Sequence, residues 1–200
     1  MAQKIIVVGL GNPGDEYVAT RHNVGRMVLE TFAKAKNLTD WVGNKKLQAL
    51  TAEGRIGKKS FLLLMPETFM NKSGLAVKPL IKSPKAAEAL IVVHDDLDLP
   101  LGKFKISFNK SSGGHRGVES IIKNIKTEAF VRIRIGISGE TASGKLKKPQ
   151  GEQKVIDTIL GEFKKNEEAE LKKIIKKAVL ALEKVIADGW SVAASQLGNL

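Results

Sequence analysis

The chain has 200 residues, 42% hydrophobic and 27% charged, enough for one well-buried core and short for two, so a single domain over 1–200 is expected. It contains no cysteine, which excludes a disulfide framework, a thiolate metal site and a cysteine nucleophile. Lys and Arg number 33 against 21 Asp and Glu, a net charge of +12 with only 5% aromatic residues; this points to a polyanionic partner met through phosphate contacts and disfavours a base-stacking platform.

The first element is a β-branched run at 4–8, read as a buried strand. It is too short for a signal-peptide core, and no later stretch approaches a membrane span, so a cytoplasmic protein is expected. The Gly-rich loop GLGNPG follows at 9–14. From Val24 onward the apolar residues Val28, Phe32 and Ala35 take helical spacing within 17–37. Segments 48–55 and 60–65 read as strands joined by a basic turn at Gly57, Lys58 and Lys59. A helix is expected over 75–81. A buried strand is expected over 89–93, ending at His94, Asp95 and Asp96. Residues 102–108 alternate like a half-exposed strand, and 117–125 suit a helix. Residues 130–137 form a strand that carries Arg132 and Arg134 on one side. The Gly-, Ser-, Lys- and Pro-rich stretch 138–153 reads as a mobile basic loop. Helices follow at 155–160 and 167–187, the second opening a C-terminal helical region over 167–200. Strands alternating with helices predict an α/β single domain, a mixed β-sheet flanked by α-helices.

The unusual residues gather in four clusters at strand ends or tight loops, the places where open α/β sheets bind ligands. These are 9–23, 66–74, 94–102 and 111–117, and they hold all three histidines, His22, His94 and His115. A neutral imidazole at His22 suits general-base work. A carboxylate at a buried strand end needs a partner, and on one nitrogen of His22 it would fix the tautomer, as in hydrolase triads. Asn12, Asn23 and Asn71 supply neutral amides suited to holding a carbonyl or an oxyanion; Asn71 equally suits a turn. No serine lies in a G-x-S-x-G elbow, so direct attack by water is simpler than an acyl-enzyme.

Two competitors were weighed against this. Gly9, Gly11 and Gly14 have the dinucleotide-binding spacing, but Pro13 interrupts the loop, and the region where an acidic residue should end a second strand reads as helix. Three His and several Asp invite zinc, but no close ligand pairing such as HExxH is present. No metal and no cofactor are expected.

Taken together, GLGNPG, then Tyr17, then Thr20-Arg21-His22-Asn23, then PETFMNKSG at 66–74, then HDDLDLP at 94–100, then Ser112 to His115, then RIRIG at 132–136 resemble the bacterial peptidyl-tRNA hydrolases. The order and spacing agree over about two-thirds of the chain, and several motifs in register are far more specific than any one alone. The resemblance implies a monomeric α/β domain with a twisted mixed sheet, acting on peptidyl-tRNA without metal. By the same resemblance His22 is the catalytic base, oriented by Asp95, and Asn12 and Asn71 place substrate and water. Tyr17 and Met70 line the crevice, His115 belongs with the substrate-binding residues, and Lys105 and Arg134 grip the 5′ phosphate of tRNA. One position departs: Arg116 stands where the family usually has Asn. Arg accepts no hydrogen bond, so it either grips a terminal phosphate, polarises the ester carbonyl or turns outward. It also keeps open an alternative, an RNA-binding relative with impaired catalysis.

Overall fold

A computed structural model describes residues 3–38 and 40–197; the ends of the expected domain and of the C-terminal helical region lie outside the described residues. In chain order the elements are β1 (Ile5–Gly9), α1 (Val24–Ala35), β2 (Val42–Asn44), β3 (Ala49–Ile56), β4 (Lys59–Pro66), α2 (Gly74–Val77), β5 (Leu90–Pro100), β6 (Phe104–Phe108), α3 (Arg116–Ile125), β7 (Val131–Glu140), β8 (Leu146–Lys147), α4 (Glu152–Leu160), α5 (Glu168–Asp188) and α6 (Trp190–Leu197). Short 3-10 turns lie between some of them, notably Arg21–Asn23 and Met70–Lys72.

The sheet runs β2-β3-β4-β1-β5-β7-β6, with β8 attached to β7. β1 is parallel to β4 and β5, and β5 to β7. β3 and β6 are antiparallel neighbours of β4 and β7. This is the expected α/β class with a mixed sheet. The central strands carry apolar runs, β-branched in β1 and the first half of β5, because both faces are covered. Val7, Ile91, Val93, Ile133 and Ile135 pack against α1 and α5 on one face. Ile6, Val8, Leu90 and Val92 pack against α2 and α3 on the other. Each such side chain contributes roughly 1.5–3 kcal/mol on burial, so the two-sided core holds the parallel strand ends where the histidines gather.

Four expectations change. The helix expected over 75–81 stops at Val77, because Pro79 has no N–H to bond back to Leu75. The strand expected to end at Val93 runs to Pro100, with a register shift between Asp96 and Pro100, so the HDDLDLP residues are strand, not loop. The stretch 138–153 is not all loop: Gly139 and Glu140 of β7 pair with Lys147 and Leu146 of β8. The C-terminal region is two helices, broken at Gly189 with φ 94°, a backbone region open to glycine. The three-residue β2 was not foreseen.

Candidate active site

The site lies where β1 ends against the middle of β5. β5 delivers Asp95, only 2% exposed. After β1 the chain loops and makes the turn Arg21–Asn23 before α1. That turn reaches Asp95 because α1 begins almost on the strands: a Cβ on Gly25 would lie 2.4 Å from the Val93 carbonyl oxygen and 2.6 Å from that of Leu10. Any larger residue would lift α1 and carry His22 away. From the opposite face α3 brings His115 to the same carboxylate.

The contacts assign the protons. His22 Nδ1 lies 2.9 Å from Asp95 Oδ1, and His115 Nε2 lies 2.9 Å from that same oxygen. The Nδ1 of His115 accepts from the backbone N–H groups of Gly117 and Val118, capping α3. It therefore carries no proton, and the proton sits on Nε2, which donates to Asp95. His22 donates from Nδ1, so its Nε2 is left as a free base with no protein partner among the described residues. His115 has protein partners on both nitrogens, which leaves it a ring face, 5.0 Å between centroids from His22.

Electrostatics agree with this assignment. Burial alone pushes the Asp95 carboxyl up, but the His22 and His115 imidazoles outweigh it and hold it well below the ordinary carboxylate range. Burial, aided by nearby His115 and Arg132, pushes His94 well below the ordinary imidazole value. His94 is thus neutral; its Nδ1 donates to the Asp95 carbonyl oxygen, and its buried Nε2 has no partner among the described residues.

The amides divide between framework and cleft. The Asn23 side chain accepts from Asn12 N and donates to Asn12 O, so it holds the loop and is not free to meet a substrate. Asn12 Oδ1 accepts from Met70 N at 2.8 Å, leaving the Asn12 NH2 for the cleft. That cleft, about 650 Å³, is lined by Asn12, His22, Met70, Asn71, His115 and Arg116 among others. Tyr17 does not line it; its ring packs edge-on against Phe69, which does.

Lys105 and Arg134 are cross-strand partners on β6 and β7, as adjacent phosphate ligands would be. Arg134 also pairs with Asp96 at 2.5 Å, while Lys105 is exposed. Arg132, on the same side, is 3% exposed. Arg116 lines the cleft, and its guanidinium reaches across it to Glu152, 2.9 Å away, with both side chains well exposed.

Among the described residues His22, Asp95 and His115 are the one cluster with metal-ligand character. A metal taken by His115 Nε2 would need the proton moved to Nδ1, and the cap on α3 would break.

Sequence reasoning missed the outer wall. Val155, Ile156, Ile159 and Leu160 of α4 line the cleft, and no residue of α4 is fully buried. A periodic apolar stripe was visible there, but nothing local said that it faced a cleft. The ion pair of Lys148 with Asp98, from the same wall to β5, carried no signal at all.

Comparison with known proteins now has a geometry to meet. The family profile described as Peptidyl-tRNA hydrolase matches residues 6–199. The peptidyl-tRNA hydrolase of Aquifex aeolicus is 44% identical, covering 90% of this chain and 89% of its own. That of Thermodesulfovibrio yellowstonii is 41% identical, covering 98% and 100%. The crystal structure of the Acinetobacter baumannii enzyme superposes with a TM-score of 0.84 at 30% identity, covering 99% of this chain and 96% of that one. Motifs, fold and relatives coincide over nearly the whole length, and the chain belongs to the peptidyl-tRNA hydrolase family.

Proposed function

We propose that this protein hydrolyses the ester bond between peptide and tRNA in peptidyl-tRNA, freeing tRNA from stalled or dropped-off translation, with water as nucleophile and His22 as general base. The observation that carries the reading is the opposite tautomers that the contacts assign to two histidines on one carboxylate: among the described residues His22 is left with an unpaired Nε2 at the cleft, whereas the Nε2 of His115 is taken by Asp95 and the unpaired Nε2 of His94 is buried. His22 takes a proton from water as its oxygen attacks the ester carbonyl carbon. Asp95, ionised and buried, stabilises the imidazolium that forms. The tetrahedral oxyanion is met by amide donors, the Asn12 NH2 and Asn71. On collapse the ester C–O bond breaks, and the ribose oxygen leaves with the proton that His22 returns.

Met70 and Phe69, the latter backed by Tyr17, border the acyl end, and His115 holds Asp95 from the second side. Lys105 and Arg134 take the 5′ phosphate of the tRNA, a use for the net charge of +12 that makes binding salt-sensitive. Every group in this scheme comes from one chain, which supports action as a monomer. Among the described residues no helix is long and apolar enough to cross a membrane, and the substrate class belongs to translation, which supports the cytoplasm as its place.

The test is release of acylated amino acid from N-acetyl-aminoacyl-tRNA by the wild type and His22→Asn, each with and without a chelator. The expected result is chelator-insensitive turnover that falls by about three orders of magnitude in the variant. Tight tRNA binding without turnover by the wild type would leave an RNA-binding relative instead.

A further inference from the structure

Arg21 is a buried cation for which the scheme above has no task. Its side chain is 10% exposed. Nη2 donates to Glu167 Oε2 at 2.5 Å and Nη1 to the Ile137 carbonyl oxygen at 3.2 Å. The guanidinium lies 4.6 Å over the Phe163 ring. The backbone joins in: Arg21 N donates to Gly161 O, and Thr20 forms an isolated antiparallel bridge with Glu162. Glu167 is itself fixed, since Oε2 also accepts from Lys164 N at 2.7 Å. Segment 161–167 joins α4, the cleft wall, to α5, which is packed on the core.

The turn Arg21–Asn23 is thus held at three points by three consecutive buried side chains. Asn23 holds it to Asn12, His22 to Asp95, and Arg21 to the segment at the foot of the wall. A three-residue 3-10 turn has no slack: tilting Arg21 rotates the neighbouring peptide units and with them the His22 ring. A displacement of about 1 Å at a reacting group can cost roughly a hundredfold in rate.

We propose that Arg21 is a positioning residue that sets the direction of His22 Nε2 by clamping its turn to segment 161–167, the segment that joins α4 to α5. The inference rests on His22 being that base. It gives the Arg of the Thr-Arg-His-Asn motif a function apart from tRNA binding: its guanidinium is covered, and it faces protein acceptors rather than the cleft.

The experiment compares Arg21→Lys, Glu167→Gln, their double variant and His22→Asn with wild type. It measures kcat and KM for N-acetyl-aminoacyl-tRNA together with Tm. Arg21→Lys keeps the charge but loses the planar fork that bonds two acceptors and stacks on Phe163. Glu167→Gln keeps the shape and loses the charge, and it serves if the Arg21 variant fails to fold. The expected result is a fall in kcat of about ten- to a hundredfold in each single variant, with KM within about twofold. The double variant should lose little beyond the worse single, because both break one clamp. A lowered Tm with kcat unchanged would reduce the clamp to a support of the fold and overturn the proposal. So would a rise in KM alone, or losses that multiply in the double variant. If His22→Asn keeps its activity, the base assignment has failed; if it is inactive while Arg21→Lys and Glu167→Gln turn over normally, only this inference has.

Discussion

The two walls of the cleft are built differently. The inner wall, where β1 ends against β5, is buried and rich in internal hydrogen bonds: Asp95 receives two imidazoles, and Asn12 is tied to Asn23 and Met70. The outer wall, α4 and the hairpin before it, is tied to the opposite rim by two exposed ion pairs, Arg116 with Glu152 and Lys148 with Asp98. Between them it presents half-buried apolar side chains. A buried constellation held by internal hydrogen bonds keeps its geometry for chemistry. Exposed pairs hold little free energy each. The difference assigns rate to the inner wall and access to the outer.

The comparison breaks most directly at Asp95. Asp95→Asn offers His22 a neutral group that can donate as well as accept, and it favours the wrong tautomer of the ring. A fall in kcat of about 10³- to 10⁴-fold is expected, with tRNA affinity little changed; steady-state kinetics beside a filter-binding assay separates the two. Retention of kcat within about tenfold would move the chemistry elsewhere.

The inner wall should also have a pH signature in stability. The folded-state pKa of His94 is depressed by burial, so below the ordinary value of 6.5 the unfolded chain binds a proton that the folded chain refuses. Stability is therefore lost as pH falls below about 6.5, by up to about 1.4 kcal/mol per pH unit for this one group. Urea unfolding of wild type and His94→Asn between pH 7 and 5 should show the slope reduced by about one proton in the variant. Parallel slopes would mean that His94 takes up its proton while folded.

The smallest effect is expected at the outer wall. Glu152→Gln breaks an exposed pair, and its effect on KM should stay within about fivefold with kcat unchanged, as a contribution below about 1 kcal/mol requires. A large change in kcat would erase the distinction between the walls.

How much of this could be read from residues depends on the range of the forces involved. The β-branched strands and their order as α/β were legible because burial on two faces imposes a local pattern. So were His22, Asp95, Asn12 and Asn71, since residues with chemistry at strand ends are uncommon and here recurred four times. The pairing of His22 with Asp95 was expected; the sharing of one oxygen with His115 was not, because it depends on an α3 cap that only the folded chain displays. Asn23 read as a free amide. It is in fact consumed by Asn12, and the partners of Arg21, which was named only within its motif, lie 116 and 146 residues away, a distance over which sequence carries no pattern. The short helix at Gly74–Val77 was over-read because apolar periodicity continued past Pro79, where hydrogen bonding could not.

The central claim is that Asp95 holds its two histidines in opposite tautomers, so that one of them alone can act as base. Nitrogen-15 NMR of the imidazoles in the free enzyme, at a pH where the rings are neutral and with His22→Asn and His115→Asn for assignment, reads this directly. The account predicts the proton on Nδ1 for His22 and on Nε2 for His115. A proton on Nε2 of His22 would contradict it, for the nitrogen that faces the substrate would then have no lone pair with which to take a proton from water.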